Sequence, residues 1–415
     1  MGETVSWGYV DLTDWIPVDS DTYLGGYGST LRILKSTLIA YTIGGSDLQK
    51  AELGIIDLVS KTKTVKYKFD TLLGTYFIRF YDKTSGKYKT IGGWGMAGTG
   101  APCGNNGNIY VIDSDGNIDV KCMPYSNYYG NVGICFYDSK TNYIYCGGDA
   151  CGRRIYRLKP DGSYDSDWSA SNMQSGCGVV ALIPATETDL YLLESTTSQY
   201  AYKATVDVLN NWKSTQYIEN AFTQLTINTN KMIVGWTIAL VNKKYFVISG
   251  DVAQYTQDFV NFNTVTVPYS AVHGIYLDRL ILSDSNKIYI YNPTTFTTEA
   301  TISITDSVVS QDRTSDPPFF ITIDTTNRRF KVRALTYNNM IPMIQYDPVN
   351  GVRVIDILTG NPAIFKINVF YSRFLYPINI QPMRDPDFVL EPSGFTPLPN
   401  PPSSDRTVAN MWISL

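Results

Sequence analysis

Between Ile134 and Leu158 short apolar or aromatic runs alternate with polar turns. Ile134–Tyr137, Tyr143–Cys146 and Arg153–Leu158 are separated by Asp138–Asn142 and Gly147–Ala150. Strand-forming runs of this length, joined by turns rich in Asp, Ser, Asn and Gly, predict an antiparallel meander without a helical crossover. Part of the unit recurs at Ile55–Phe69, Ile78–Ile91, Ile288–Ile304, Ile321–Leu335 and Ile344–Leu358. Each copy has an apolar or aromatic pair, an Asp or Asn, a short polar turn and a second strand. Asp57, Asp82, Asp138, Asn292, Asp324 and Asp347 stand where a side chain accepts backbone N–H groups and fixes the hairpin. One supersecondary unit repeated along a chain is the mark of a repeat architecture.

Taken in order, residues 1–28 predict an irregular arm, with Trp7, Trp15 and Tyr23 as anchors on the core. From residue 29 to 360 the strands group into about seven repeats of roughly 45–50 residues, the period of propeller blades. The expected fold is all-β: a single β-propeller of about seven four-stranded blades. Residues 361–415 break the pattern. Pro362, Pro377, Pro382, Pro386, Pro392 and the run Pro397–Pro402 predict an extended tail, which we expect to anchor on neighbouring subunits. Gly93–Gly98 spells GxGxxG, but Thr99-Gly100-Ala101-Pro102 follows and opens no helix, so a dinucleotide site is rejected in favour of a long rim loop.

The Asp-turn units resemble the repeats of YVTN-type and quinoprotein-like β-propellers, in which a strand ending in an aromatic residue and Asp leads into a Thr/Gly/Asn turn. Tyr81-Asp82-Lys83-Thr84-Ser85-Gly86-Lys87 approaches the longer quinoprotein signature once, with Trp94 too far along. Sialidase-type boxes and Trp-Asp dipeptides ending the blades are missing. The resemblance implies the fold and no activity. The Tyr-, Asn-, Thr- and Ile-rich, charge-poor style is also similar to virion proteins of thermoacidophilic archaeal viruses.

Composition narrows the function. Charged residues make up 17% of the chain and the net charge is −4, which leaves no basic footprint for nucleic acid. The 31 Tyr suit half-exposed strands and wet, adaptable binding surfaces alike. The N-terminus reads as neither a secretory signal nor a membrane anchor, no apolar run is long enough to span a bilayer, and no usable glycosylation sequon occurs. The location expected is therefore a virion or extracellular surface, reached without a glycosylating secretory route. All six cysteines fall between Cys103 and Cys177. Cys146 and Cys151 flank one turn and are the disulfide candidates; free buried thiols and a metal site are the alternatives.

Candidate chemistry is sparse. The single histidine, His273, would have to serve any Ser-His-Asp or Cys-His catalysis, and it excludes histidine metal clusters. Asp113, Asp115 and Asp119 form a weak calcium candidate that misses the EF-hand spacing. No cofactor is expected. The leading expectation is a non-enzymatic structural or adhesion protein within a large assembly, its loops recognising a host-surface glycan or protein. Trp94, Tyr128 and Tyr129, in long loops, are the recognition residues chosen. A scaffold with both faces covered is a second reading. The alternative is a glycan-active hydrolase or lyase with paired carboxylates at the central channel, which requires acidic side chains of raised pKa at one mouth.

Overall fold

The computed structural model describes residues 6–24, 30–35, 37–44, 50–69, 76–94, 103, 108–123, 132–138, 140–148, 154–168, 171–172, 179–184, 188–195, 200–212, 218–226, 237–241, 244–249, 251–268, 271–276, 279–284, 286–304, 308–309, 319–337, 339, 342–347, 351–356, 366–367, 374–375 and 390–391. They are almost entirely β. Six four-stranded meanders follow in chain order, each antiparallel between sequence neighbours. Sheet 1 holds Thr30–Lys35, Leu38–Gly44, Ala51–Asp57 and Thr62–Phe69; sheet 2 holds Tyr76–Asp82, Lys87–Trp94, Asn108–Asp113 and Ile118–Cys122. Sheet 3 contains Val132–Asp138, Tyr143–Gly148, Arg154–Leu158 and Ser171–Asn172. Sheets 4, 5 and 6 begin at Val179–Pro184, Thr237–Val241 and Ala271–Tyr276.

Sheet 7 is assembled differently. Val308–Val309, Phe319–Asp324 and Arg329–Tyr337 supply three strands, and the fourth comes from the other end of the chain. Trp7–Asp11 pairs antiparallel with Arg329–Tyr337, from Trp7 opposite Tyr337 to Asp11 opposite Arg333. The segment expected to be an irregular arm thus contains a strand. Trp7 meets Tyr337 edge-on at 5.0 Å, and Arg329 and Lys331 lie over the half-buried Trp15 ring at 4.7 and 4.9 Å. Asp11 then binds Lys331 at 2.7 Å and the buried Arg333 at 2.8 Å.

The turns follow the sequence reading. Asp57 Oδ1 accepts from the backbone of Val59 and Ser60, and Asp82 Oδ1 accepts from Thr84. Asp138, Asn292 and Asp324 do the same for Lys140, for Thr294 and Thr295, and for Asn327. The last strands of the sheets are polar at their open edges, as in Thr62–Phe69 and Thr297–Ser303, which guards against edge-to-edge pairing.

The core lies between sheets. Leu31, Ile39 and Tyr41 of sheet 1 pack on Phe319, Ile321 and Phe330 of sheet 7. Leu53 and Phe69 meet Tyr110 and Ile112 of sheet 2, and Phe80 and Ile91 meet Tyr137 and Ile144 of sheet 3. One cluster joins sheets 3, 4 and 5 through Tyr145, Leu192, Tyr245 and Phe259, and Phe246 carries the packing on to Leu280 and Leu282 of sheet 6. Trp7–Asp11 lies against Thr297–Ser303 of sheet 6. Each sheet therefore buries its faces on its sequence neighbours, and the seventh packs on the first. A one-turn helix, Val206–Asn210, adds a bridge from sheet 4. Its carbonyls at Leu209 and Asn210 accept from Trp168 Nε1 and Arg157 Nη1, each at 2.9 Å.

The chain continues past sheet 7. Pro342–Asp347 and Gly351–Asp356 form a separate hairpin, so the last Asp-turn unit lies outside the seven sheets. Lys366–Ile367 pairs with Leu390–Glu391, and Phe374–Leu375 adds a fifth strand to sheet 3 along the open edge of Val132–Asp138.

Candidate functional site

The candidate site is one edge of sheet 2. The register places Trp94 opposite Asn108 and Asn108 opposite Cys122, so three consecutive strands end or begin in one row. The glycine-rich loop, 95–107, joins the first two members of this row. Cys103 within it is disulfide-bonded to Cys122, with the Cα atoms 5.3 Å apart. The Cys103 N–H also donates to Oδ1 of the buried Asn108 at 3.1 Å. Cys103 is therefore tied both to the outermost strand and to the strand that begins at Asn108.

Trp94 was expected in a long loop and is the last residue of a strand, because its backbone continues the ladder to Asn108. Tyr128 and Tyr129 lie outside the described residues. So does Cys151, and with it the pairing proposed for Cys146; Cys146 itself is buried in Tyr143–Gly148. The Cys103–Cys122 bond had a sequence signal that was missed. Counting the hairpin outward from Asp115-Gly116 sets Cys122 opposite Asn108, five residues from Cys103.

The aspartates of the calcium candidate have other partners. Asp113 Oδ1 accepts from the backbone of Asp115 and Asn117 at 2.9 Å, and its Oδ2 accepts from Asn117 Nδ2 at 2.8 Å. Asp119 pairs with Lys121 at 2.8 Å. Among the described residues no three His, Cys, Asp or Glu side chains stand close enough to share a metal ion. His273 is the residue passed over where the register of Ala271–Tyr276 shifts between Val272 and Gly274.

The electrostatics of the acidic residues run in one direction. Burial works to raise the Asp82 carboxyl, but Lys89, Ser85, Thr84 and Asn142 outweigh it and hold it below the usual carboxylate range. Asp113 and Asp258 are lowered in the same way by turn N–H groups that exceed the cost of burial, and Asp284 by the Tyr289 hydroxyl together with the Asn286 and Lys287 N–H groups. Asp324 is drawn to about 2 by the side chain and backbone of Asn327 and by Arg329. Glu52, fully buried between sheets 1 and 7, accepts from Tyr41 Oη at 3.0 Å and Lys63 Nζ at 2.7 Å. Sequence reading had singled out none of these buried groups except the turn aspartates, since their partners lie on other strands.

Repeated four-stranded antiparallel meanders, each packed on the next, define the β-propeller class of repeat folds. No protein-family model matches the chain, and no curated protein matches it by sequence. Among solved structures it is similar to the WD40 β-propeller domain of Doa1, at 12% identity over 78% of this chain and 97% of that one, with a TM-score of 0.45. BBS1N, solved in complex with ARL6DN, is 13% identical over 78% and 97% of the two chains, with a TM-score of 0.43. Raptor of Chaetomium thermophilum is 8% identical, covering 80% of this chain and 29% of that one, with a TM-score of 0.48. The scores fall below 0.5, so nothing about ligand or partner follows from them.

Proposed function

We propose that the seven sheets are the blades of one closed ring, locked by the N-terminal strand, and that the protein is a non-enzymatic structural or adhesion subunit of a larger assembly. Packing of sheet 7 on sheet 1 and completion of sheet 7 by Trp7–Asp11 support closure. The observation that carries the functional reading is the rim of sheet 2, where Trp94, Asn108 and Cys122 stand in one row and Cys103 is bonded to Cys122. A connection crosslinked at an interior residue loses less entropy on binding, as a recognition loop requires. Trp and Tyr supply the aromatic contact, and a host-surface glycan or protein is the ligand we favour.

The disulfide suits an oxidising, exposed location, in keeping with a virion or extracellular surface. The charge-poor, Tyr-rich style fits a particle that meets heat or acid. The glycan-enzyme reading asks for carboxylates of raised pKa, whereas every described carboxylate with a resolved shift is lowered and is engaged by a turn or a cation.

The test is a binding screen of the intact chain on host-surface glycans and proteins, with turnover of each bound glycan followed in parallel. Binding without turnover is expected, weakened at least tenfold in Trp94→Ala and in the Cys103→Ser/Cys122→Ser pair. Turnover that disappears when one carboxylate is replaced would overturn the reading.

A further inference from the structure

In sheets 1 to 6 the outer strand follows its neighbour in sequence, whereas Trp7–Asp11 and Arg329–Tyr337 come from opposite ends of the chain. Backbone pairing and charge hold this joint. Arg328, Arg329, Lys331 and Arg333 place four cations within six consecutive residues. The N-terminal segment meets all four. Asp11 pairs with Lys331 at 2.7 Å and Arg333 at 2.8 Å, and Arg333 also lies over the Tyr9 ring at 4.9 Å. Arg329 and Lys331 lie over Trp15, and Arg328 Nη2 donates to the carbonyls of Asp19 and Thr22 at 2.7 and 2.5 Å.

Apolar burial begins only behind the strand. None of the five side chains of Trp7–Asp11 is fully buried. The buried anchors are Leu12, Ile16, Val18 and Leu24, all in the core between sheets 7 and 1. Backbone bonds fasten the same stretch, from Leu12 N to Val332 O, from Val18 N to Arg328 O and from Tyr23 N to Lys50 O, each at 2.9 Å. The strand and the stretch that follows it are thus held by different forces.

We infer that Trp7–Asp11 is an acid-operated latch: protonation of Asp11 releases the strand from Arg333–Tyr337 while residues 12–24 stay seated, and the ring opens reversibly. This rests on the closed-ring reading and gives the condition under which the lock lets go. The Arg333 side chain is only 2% exposed. Taking the carboxylate from a buried cation is the costly case, whereas an exposed pair is worth little. Lys331 and Arg333 stand on one face of their strand, so without Asp11 they face each other as like charges. Arg329 keeps Asp324 at 2.9 Å. On the other side Thr297–Ser303 lies against the strand, and its Glu299 is engaged by Arg279 at 2.8 Å. Asp14, Asp19 and Asp21 belong to the seated stretch, paired with Lys61, Lys68 and Lys50 of sheet 1 and its approach. Burial works to raise the Asp11 carboxyl, but Lys331 and Arg333 outweigh it and hold it below the usual carboxylate range. Its contribution is therefore complete above the unfolded pKa of about 4 and is lost as pH falls through the folded value.

The experiment follows amide exchange in residues 7–11 from about pH 7 to about pH 3, corrected for the intrinsic rate at each pH. Residues 118–122, the outer strand of sheet 2 behind the Asp115-Gly116 turn, serve as the reference in the same molecule. Protection of 7–11 is expected to fall about tenfold before 118–122 changes, and to return at neutral pH. Asp11→Asn should show the lowered protection already at neutral pH, whereas Asp21→Asn, on the seated stretch, should leave it unchanged. If 7–11 stays protected in acid, if both strands lose protection together, or if Asp21→Asn acts as strongly as Asp11→Asn, the latch fails and the lock stands. If 7–11 is unprotected at neutral pH in the unaltered chain, the closed ring fails and the latch with it. The acid series needs no variant and decides the matter should Asp11→Asn fail to fold.

Discussion

At the scale of residues, two positions bear more than their neighbours. Gly54 sits where the register between Leu53 and Gly54 shifts, and a Cβ there would lie 2.5 Å from Thr64 O and 2.7 Å from Tyr41 Oη. Backbone cannot yield to that contact, and a displaced Tyr41 would abandon the buried Glu52. Gly54→Ala is therefore expected to cost about 3 kcal/mol in denaturant unfolding, although alanine is otherwise a mild change. Asp82 is the second. Its carboxylate serves Thr84 N–H, Ser85 Oγ and Lys89 Nζ, and Asn142 Nδ2 reaches it from sheet 3. Asp82→Ala leaves the largely buried Lys89 without its carboxylate, at about 3 kcal/mol. The comparison is Asp57→Ala, which removes two exposed turn bonds and should cost about 1 kcal/mol.

At the scale of elements, local signals were legible and distant ones were not. Asp138 with its polar turn predicted Ile134–Tyr137 and Tyr143–Cys146, and the strands are Val132–Asp138 and Tyr143–Gly148. The reason is that the accepting carboxylate and its donors lie within three residues of one another. Trp7–Asp11 was read as irregular because its partner is more than 300 residues away and no turn announces it. Phe374–Leu375 escaped for the same reason. The rim of sheet 2 was half legible: the glycine-rich loop and Trp94 stood out, whereas the cysteine pairing needed the hairpin register. Removing residues 1–12 strips the outer ladder from Arg333–Tyr337, leaving the Ile16–Pro17 pairing at Arg329 and Phe330, and takes the carboxylate from Arg333. A loss on the order of 5 kcal/mol is expected from about five backbone bonds, read as a lowered unfolding midpoint and aggregation through the bared edge.

For the whole molecule, the depressed aspartates set the response to acid. Asp82, Asp113, Asp258, Asp284 and Asp324 have folded pKa values below those of the unfolded chain. Between the two values the unfolded state binds more protons, so these groups stabilise the fold above the unfolded pKa of about 4 and cease to do so as pH falls through the folded values. Stability from these groups should be flat from about pH 7 to pH 5 and fall steeply between about pH 4 and pH 2, where Asp324 is the last of them to protonate. An acid titration followed by circular dichroism checks this; a loss centred well above pH 5 would assign the acid response to other groups.

The N-terminal strand also sets a timetable. Trp7–Asp11 is translated more than 300 residues before the strand it pairs with, which ends at Tyr337. At 5–20 residues per second the first segment waits roughly 15–65 s for its partner to be made. Until then the nascent chain carries six growing meanders and an unpaired Trp7–Asp11, which among the described sheets enters the seventh. A ribosome that stalls near residue 300 would release six meanders with no Arg329–Tyr337 to receive Trp7–Asp11, so the loss reaches from one end of the chain to a strand at the other.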